Sequence, residues 1–408
     1  MKDYLKIVFV GHVDHGKSTL IGRLLYDTKS LKNEKYQDLK EEAKKRGGEI
    51  EFAFVMDHLK EERDKKITID TAQTYFSTKK RNYVIIDAPG HKEFMKNMIT
   101  GASQAEAAIL MVDVNEGVRD QTKRHAYILN LLGIRQVLVA MNKMDLVNYE
   151  KERFEEVKEE LIDFLETINI RPKYVVPISA KNGDNVAKKS DKMTWYNGPT
   201  ILEALDEFEK DAAPTEKPFR FPVQDVYDFD GERIVVGRIE SGKLKEGEEA
   251  IILPGRKKTR IKRIKIFNGD KKEAVAGESI GLIIDEEVER GNVIFKGEPP
   301  RERKELKVKL FWLSPEEVRE GEKVIFRCTT QEVNCKIEKI EKRIDPSSMK
   351  VLEENAKRLE EHEIGEVVLS LDKPVFVDDF NRIKEMGRFV LERNGGISAG
   401  GIITEVES

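Results

Sequence analysis

Residues 11–18 read GHVDHGKS, directly after the apolar run Lys6–Val10 and directly before a stretch of helical character, Ser18–Tyr26. The spacing G-x-x-x-x-G-K-S dictates a strand, a tight loop and a helix in that order. Gly11 and Gly16 let backbone N–H groups wrap an anion, Lys17 reaches terminal phosphate oxygens, and Ser18 offers a hydroxyl to Mg²⁺. Val13, Asp14, His15 and Thr19 complete the candidate phosphate loop.

Four more apolar runs share the character of the first: Tyr83–Asp87, Ala108–Asp113, Val137–Met141 and Tyr174–Ile178. Runs of this length without polar alternation read as strands covered on both faces. Charged amphipathic stretches such as Glu150–Ile168 lie between them. The pattern predicts an α/β domain, a mostly parallel sheet with helices on both faces. Ligands of such sheets gather at the C-terminal ends of the strands, and three further motifs stand there. Asp87-Ala88-Pro89-Gly90 follows the second run. Asp87 is placed to hold Mg²⁺ through water, and the Gly90 N–H to sense a γ-phosphate. Asn142-Lys143-Met144-Asp145 follows the fourth run, and a carboxylate at Asp145 accepts from N1 and N2 of guanine, which adenine cannot match. Ser179-Ala180-Lys181 follows the fifth and presents a backbone N–H to guanine O6. Four motifs in this order, each on a strand end, imply a GTP or GDP site.

The pattern changes at Ala212-Ala213-Pro214-Thr215-Glu216-Lys217-Pro218, where two prolines and charges mark a linker. Beyond it come short runs punctuated by glycine, among them Arg233–Ile239, Ala250–Leu253, Thr259–Ile266 and Ser279–Ile284. A second break, Gly297-Glu298-Pro299-Pro300, precedes another strand-rich segment interrupted by a charged, helical-looking piece near Ser348–Glu361. The expected architecture is a P-loop α/β domain over residues 1–213 followed by two β-barrels, 219–298 and 301–408.

Charge says little about partners, because 72 Lys and Arg nearly cancel 76 Asp and Glu, leaving a net charge of −4. Such a chain has no global pull toward nucleic acid or an anionic membrane. Its best basic cluster, Arg256-Lys257-Lys258 with Arg260, Lys262, Arg263 and Lys265, alternates with Ile261, Ile264 and Ile266. That alternation suits either a phosphate-facing hairpin or the polar outside of a barrel strand. No apolar run is long enough to span a bilayer, and the N-terminus leads straight into the first strand, so the expected location is cytoplasmic, with no membrane partner. Two cysteines exclude a disulfide scaffold. If Gln331-Glu332 forms a two-residue turn, Cys328 faces Cys335, either as two buried thiols or as a bridge. His58, His125 and His362 read as solvated or packed, and no histidine pair has the context of a zinc site.

The stretches DHGKSTLIGRLLYDT, DHLKEERDKKITIDTAQTYF, DAPGHKEFMKNMITGASQAEAAILMVD and MNKMDL resemble the translational GTPases, in the branch of elongation factors 1-alpha and Tu. The resemblance implies that Thr68, in ITID, closes over Mg²⁺ and the γ-phosphate. It implies that His91 positions the attacking water between the apolar gates Val13 and Ile67. Catalysis would then rest on His91, Thr68 and Lys17, and the metal ligands would be Ser18, Thr68 and Asp87. Lys66 stands where the family usually has glycine. If that backbone needs φ > 0, its side chain adds strain and makes loop closure slower or dependent on a partner.

Other stretches are more similar to a metabolic member of the family, the GTPase subunit of heterodimeric ATP sulfurylase (sulfate adenylyltransferase subunit 1). They are GVRDQTKRHAYILNLLGIRQVLVAMNKMDLVNY, KNGDNVAKKSDKMTWYNGPTILEAL, ELKVKLFWL, EHEIGEVVLSLDKPVFVDDF and GRFVLERNGGISAG. They imply a regulatory subunit that couples GTP hydrolysis to adenylyl sulfate synthesis by a small catalytic partner subunit. The segment EEAKKRGGEIEFAFVMDHLKEERDKK resembles the elongation factor instead, as does the loop GHVDHGKS, with His15 where the sulfurylase subunit often has Asp. These imply delivery of aminoacyl-tRNA to the ribosome. The sequence-based expectation is the sulfurylase subunit, with the elongation factor as the alternative.

Overall fold

The computed structural model describes residues 4–12, 14–31, 52, 73–86, 105–210, 214–229, 231–267 and 269–405. They fall into two compact units, divided in the chain between Lys210 and Asp211.

The first unit is built on six strands: β1 (Tyr4–Gly11), β2 (Gln73–Ser77), β3 (Asn82–Ile86), β4 (Ala107–Asp113), β5 (Gln136–Asn142) and β6 (Tyr174–Pro177). Their order is β2-β3-β1-β4-β5-β6, all parallel except β2, which lies antiparallel to β3. β4 is buried at every position and β5 at all but its first, as an unbroken apolar run in a two-sided sheet requires. Among the described residues four helices cover the sheet: α1 (Lys17–Asp27), α2 (Asp120–Leu131), α3 (Lys151–Thr167) and α4 (Ile201–Asp206). Leu20, Ile21 and Leu24 of α1 and Ile201, Ala204 and Leu205 of α4 share a core with Ile7, Phe9, Ile109 and Met111. By strand alternation Val8 and Val10 point the other way, where α2 packs on β1 and β4 and α3 packs beside it. The six-residue α4 is held by a capping box: Glu203 N–H donates to the Thr200 hydroxyl, and Thr200 N–H to the Glu203 carboxylate. Strand order turns at β1, so the crevice at its C-terminal end receives residues 12 and 14–16.

The second unit contains two β-barrels. In the first, strands including Phe219–Phe229, Glu232–Arg238, Glu249–Leu253, Ser279–Ile283 and Val293–Lys296 surround Phe221, Val235, Ile252, Leu282 and Ile294. In the second, Lys323–Cys328 bonds to Arg388–Arg393 on one side and Gln331–Ile344 on the other. That double pairing closes a ring through Ile364–Val377, Arg301–Trp312 and Gly396–Glu405. Leu306, Val308, Leu310 and Trp312 alternate into its core.

An apolar patch of Leu253, Val293, Phe295, Phe376, Ile383 and Met386 joins the two barrels. Beside it Arg220, fully buried, makes a bidentate pair with Asp378, Nε to Oδ2 at 2.7 Å and Nη2 to Oδ1 at 3.0 Å. Arg220 Nη1 also donates to the Phe219 carbonyl. The Gln331 side chain donates to the Phe376 carbonyl and accepts from the Phe376 N–H, both at 2.8 Å.

The structure departs from the sequence expectation in the second unit. Thr259–Ile266 is two strands, Lys257–Arg260 and Arg263–Ile266, because the first pairs with Glu249–Leu253 and the second with Ser279–Ile283. The chain changes partner at Ile261, which is buried. Ser348–Glu361 is not helical but forms the strands Val351–Ala356 and Arg358–Leu359. The Asp345 carboxylate accepts from the N–H groups of Ser347 and Ser348, turning the chain so that 351–356 pairs back onto 340–344. The turn before Gln331 is Thr329-Thr330, with Cys328 opposite Gln331 and Cys335 opposite Val324. The two cysteines therefore lie about 13 Å apart along the hairpin, as free buried thiols whose pKa values burial pushes up to about 12. Four members of the basic cluster have acidic neighbours: Lys262 pairs with Asp285 at 2.6 Å, Lys265 with Glu232 at 2.9 Å, Arg263 with Glu232, and Lys257 with Glu286 at 3.8 Å. Arg256, Lys258 and Arg260 are exposed.

Removing one partner of a buried pair strands the other charge. Arg220→Ala is expected to cost about 3–5 kcal/mol in urea unfolding of the full chain, whereas the double variant Arg220→Met, Asp378→Leu should recover most of that loss. Glu240, whose N–H donates to the Arg220 carbonyl, gives a pH-dependent counterpart. Burial pushes its carboxyl up from 4.5 to about 7. A raised carboxyl pKa means the folded state binds the proton more tightly than the unfolded state. Its stabilisation is therefore complete below pH 4.5 and is lost as pH rises through about 7. Glu240→Gln should flatten the melting temperature across that window, raising it most on the alkaline side.

Candidate nucleotide site

The crevice beyond β1 is lined by the loops that follow β1, β4, β5 and β6. Gly16 ends the first loop in the left-handed region, at φ 92°, and caps α1. A Cβ there would lie 2.3 Å from Asn142 Nδ2, so glycine is required both by the backbone and by the approach of Asn142. The Lys17 ammonium donates to the carbonyls of Gly11 and of His12, the latter at 2.9 Å, and so lies across the loop. Ser18 and Thr19 occupy the first turn of α1, both half-buried, and Asp14 is exposed with φ 66°. His15 is fully buried, its Nδ1 3.3 Å from the Met111 carbonyl, and burial holds its pKa below the ordinary 6.5.

The loop after β5 is tied to both of its neighbours. Asn142 Nδ2 donates to the His15 carbonyl at 2.8 Å, and Asn142 Oδ1 accepts from the Ala180 N–H at 2.9 Å. Lys143, at φ 65°, reaches across to Asp113 with 2.7 Å between Nζ and Oδ2. Asp145 Oδ1 accepts from the Ser179 hydroxyl at 2.6 Å, which orients the carboxylate and ties it to the 179–181 turn. Met144 N–H donates to the Ile178 carbonyl at 3.1 Å, a second tie between the same two loops. Lys181 follows, exposed.

The predicted residues Gly11, His15, Gly16, Lys17, Asn142, Lys143, Asp145, Ser179 and Ala180 thus belong to one bonded cluster with Asp14, Ser18, Thr19 and Lys181 beside it. Val13, Ile67, Thr68, Asp87, Gly90 and His91 lie outside the described residues, as do Lys66 and His58. Sequence reasoning missed Asp113, which is 1% exposed and also accepts from the Asn115 N–H at 2.9 Å. Its signal was an acid closing an apolar run, in register with Asn142 across β4 and β5. His125 is buried in α2, and His362 packs against Phe311 with ring centroids 6.3 Å apart. Among the described residues no group of three or more His, Cys, Asp or Glu side chains is placed to hold a metal. None of the described helices is long and apolar enough to cross a membrane.

Comparison with known proteins agrees with this geometry. Residues 2–211 match the elongation factor Tu GTP binding domain, residues 232–295 elongation factor Tu domain 2, and residues 305–404 the GTP-eEF1A C-terminal domain-like family. Elongation factor 1-alpha of Pyrococcus furiosus is 41% identical over 422 aligned residues, covering 100% of this chain and 98% of that protein. Those of Methanopyrus kandleri and Methanosphaerula palustris are 40% and 38% identical at the same coverages. These relatives overturn the sulfate adenylyltransferase expectation, since full-length identity at this level goes to proteins named elongation factor 1-alpha. At least one of the stretches behind that expectation is a packing segment. ELKVKLFWL supplies the inward alternation of Leu306, Val308, Leu310 and Trp312, so its likeness reports a shared barrel and not a shared partner. The chain is a GTP-binding GTPase and belongs to the translational GTPase family, in the branch of elongation factors Tu and 1-alpha.

Proposed function

We propose that the chain is an elongation factor 1-alpha-like GTPase that delivers aminoacyl-tRNA to the ribosome and releases it on GTP hydrolysis. The observation that carries this reading is the 41% identity with elongation factor 1-alpha over 100% of this chain and 98% of that protein. The functional division would follow residues 1–213 for the nucleotide and residues 219–298 and 301–408 for the two barrels.

In this reading Gly11, Val13, Asp14, His15, Gly16, Lys17, Ser18 and Thr19 take the phosphates. Backbone N–H groups provide the cradle and the Lys17 ammonium offsets negative charge on the β and γ oxygens. Ser18 opens α1 with a hydroxyl oxygen, the hard donor that suits Mg²⁺, and with Thr68 and Asp87 it would hold the ion that neutralises charge on the phosphate oxygens. Gly90 senses the γ-phosphate, and His91 orients the water that attacks it, producing GDP and phosphate. Asn142, Lys143, Asp145, Ser179, Ala180 and Lys181 read the base. The Ser179 hydroxyl on Asp145 Oδ1 at 2.6 Å sets the carboxylate plane against which guanine N1 and N2 donate. Cellular location would be cytoplasmic, where charged tRNA and ribosomes are found.

A site built to pair with one edge rejects the wrong edge by about 10⁴–10⁵. Asp145→Asn should therefore lose GTP and GDP binding by a factor of that order and gain xanthosine nucleotides; fluorescence titration with both bases checks it, and unchanged GTP affinity would remove Asp145 from recognition. A carrier must also bind tRNA differently in its two nucleotide states, since equal affinity shifts nothing. Filter binding of aminoacyl-tRNA should be at least about tenfold tighter with a non-hydrolysable GTP analogue than with GDP, and should weaken with salt as phosphate contacts do. Equal affinity in the two states contradicts the carrier reading.

A further inference from the structure

The His15 ring is fully buried, and the hydrogen-bond chemistry of its two nitrogens is unequal. Nδ1 lies 3.3 Å from the Met111 carbonyl. A carbonyl only accepts, and as the nearer of the ring's two acceptors it assigns the proton of the neutral imidazole to Nδ1. Nε2 then faces the Glu116 carboxylate, with Oε2 at 3.6 Å and no hydrogen-bond partner for Nε2. An ionised carboxylate also only accepts. In the neutral ring, two lone-pair atoms thus confront each other at the end of β4, and a single proton between them turns the contact into a charge-assisted hydrogen bond.

The surrounding charges set when that proton arrives. Burial opposes the imidazolium most strongly and His12, whose ring centroid is 5.1 Å away, opposes it further; the Met111 carbonyl, Asp113 and Glu116 favour it. Asp113 is partly neutralised by Lys143 at 2.7 Å, and Arg119 approaches Glu116 at 3.6 Å. The proton is therefore taken up below the ordinary histidine pKa of 6.5. His15 is already held through its backbone carbonyl by Asn142, at 2.8 Å. Closing the second tie, through the ring, holds the same residue of the loop from both its main chain and its side chain.

We propose that Glu116 is a positioning residue for the phosphate loop, acting through His15 so that a proton between the two tightens the grip on bound nucleotide. The proposal rests on the reading that residues 11–18 hold the phosphates. The test is release of GDP carrying a fluorescent group on the ribose, measured on the full chain from about pH 5 to about pH 8. Wild-type release should slow about threefold to tenfold as pH falls through the His15 titration, the range one net hydrogen bond supports. Glu116→Gln supplies an amide N–H to the bare Nε2 without any proton. It should therefore release GDP slowly at all pH values, whereas Glu116→Leu should release it at the neutral-pH wild-type rate throughout. Circular dichroism melts at both ends of the range establish that each variant is folded. If the Gln and Leu variants change release equally, or both keep the wild-type pH slope, Glu116 has no positioning role. A folded wild-type chain that binds no GDP overturns the underlying nucleotide site, an outcome distinct from failure of the coupling.

Discussion

One side-chain amide holds the nucleotide crevice together. Asn142 donates from Nδ2 to the loop after β1 and accepts at Oδ1 from the turn after β6, and its own backbone closes β5 between them. An amide offers a donor and an acceptor on one short planar group at any pH. Aspartate in its place would set a carboxylate against the His15 carbonyl, and glutamine, a methylene longer, would displace the amide from both partners. The left-handed Gly16, the tie from Ser179 to Asp145, and the bond from Met144 to Ile178 are arranged around that hub. The site is thus a set of loops from separate strands bonded to one another.

The barrel unit solves a different problem. Two small barrels with separate cores must meet without sliding, and a purely apolar patch would permit many registers. The bidentate Arg220–Asp378 pair selects one, because a planar fork and a carboxylate fit in few orientations. Desolvating both groups costs much of what their attraction returns, so the pair's contribution is to specificity of docking more than to net stability. Elsewhere on this unit part of the basic cluster has acidic neighbours, as Arg263 and Lys265 share Glu232. The barrel therefore mixes charge along a stretch whose sequence suits either a phosphate-facing hairpin or the polar outside of a strand.

The central strands of the first unit were legible because they are apolar on both faces, so β4 and β5 stand out without any periodicity to interpret; the edge strand β2, which alternates buried Thr74 and Phe76 with exposed Tyr75 and Ser77, went unread. Its motifs were legible because each needs special chemistry next to a strand end. Asp113 escaped notice because it closes an apolar run and its partner, Lys143, is adjacent only through sheet register. In the barrels, one-sided alternation leaves the pairing partner undetermined. Nothing local in Thr259–Ile266 says that Ile261 turns a corner, and the Leu- and Glu-rich segment 348–361 has helix-forming residues overruled by the strand it pairs with. The cysteine register failed on the position of one turn, which Thr329 sets by adopting φ 52°. The family branch was misjudged for a related reason: the most conspicuous barrel phrases encode packing, which relatives of different function share.

The ring in the second barrel has a temporal consequence. Its opening strand, Arg301–Trp312, pairs with Ile364–Val377 on one side and with Gly396–Glu405 on the other. Translation at roughly 5–20 residues per second separates the synthesis of the first and last of these strands by several seconds at least. During that interval the first strand has first both sides and then one side unsatisfied, and Leu306, Val308 and Leu310 lack part of the wall that buries them. The nucleotide unit, whose strands are complete by Pro177, can form long before. Each new molecule therefore passes through a stage in which its nucleotide unit can be assembled while its last barrel is an open, adhesive sheet, the stage most in need of shielding from other nascent chains.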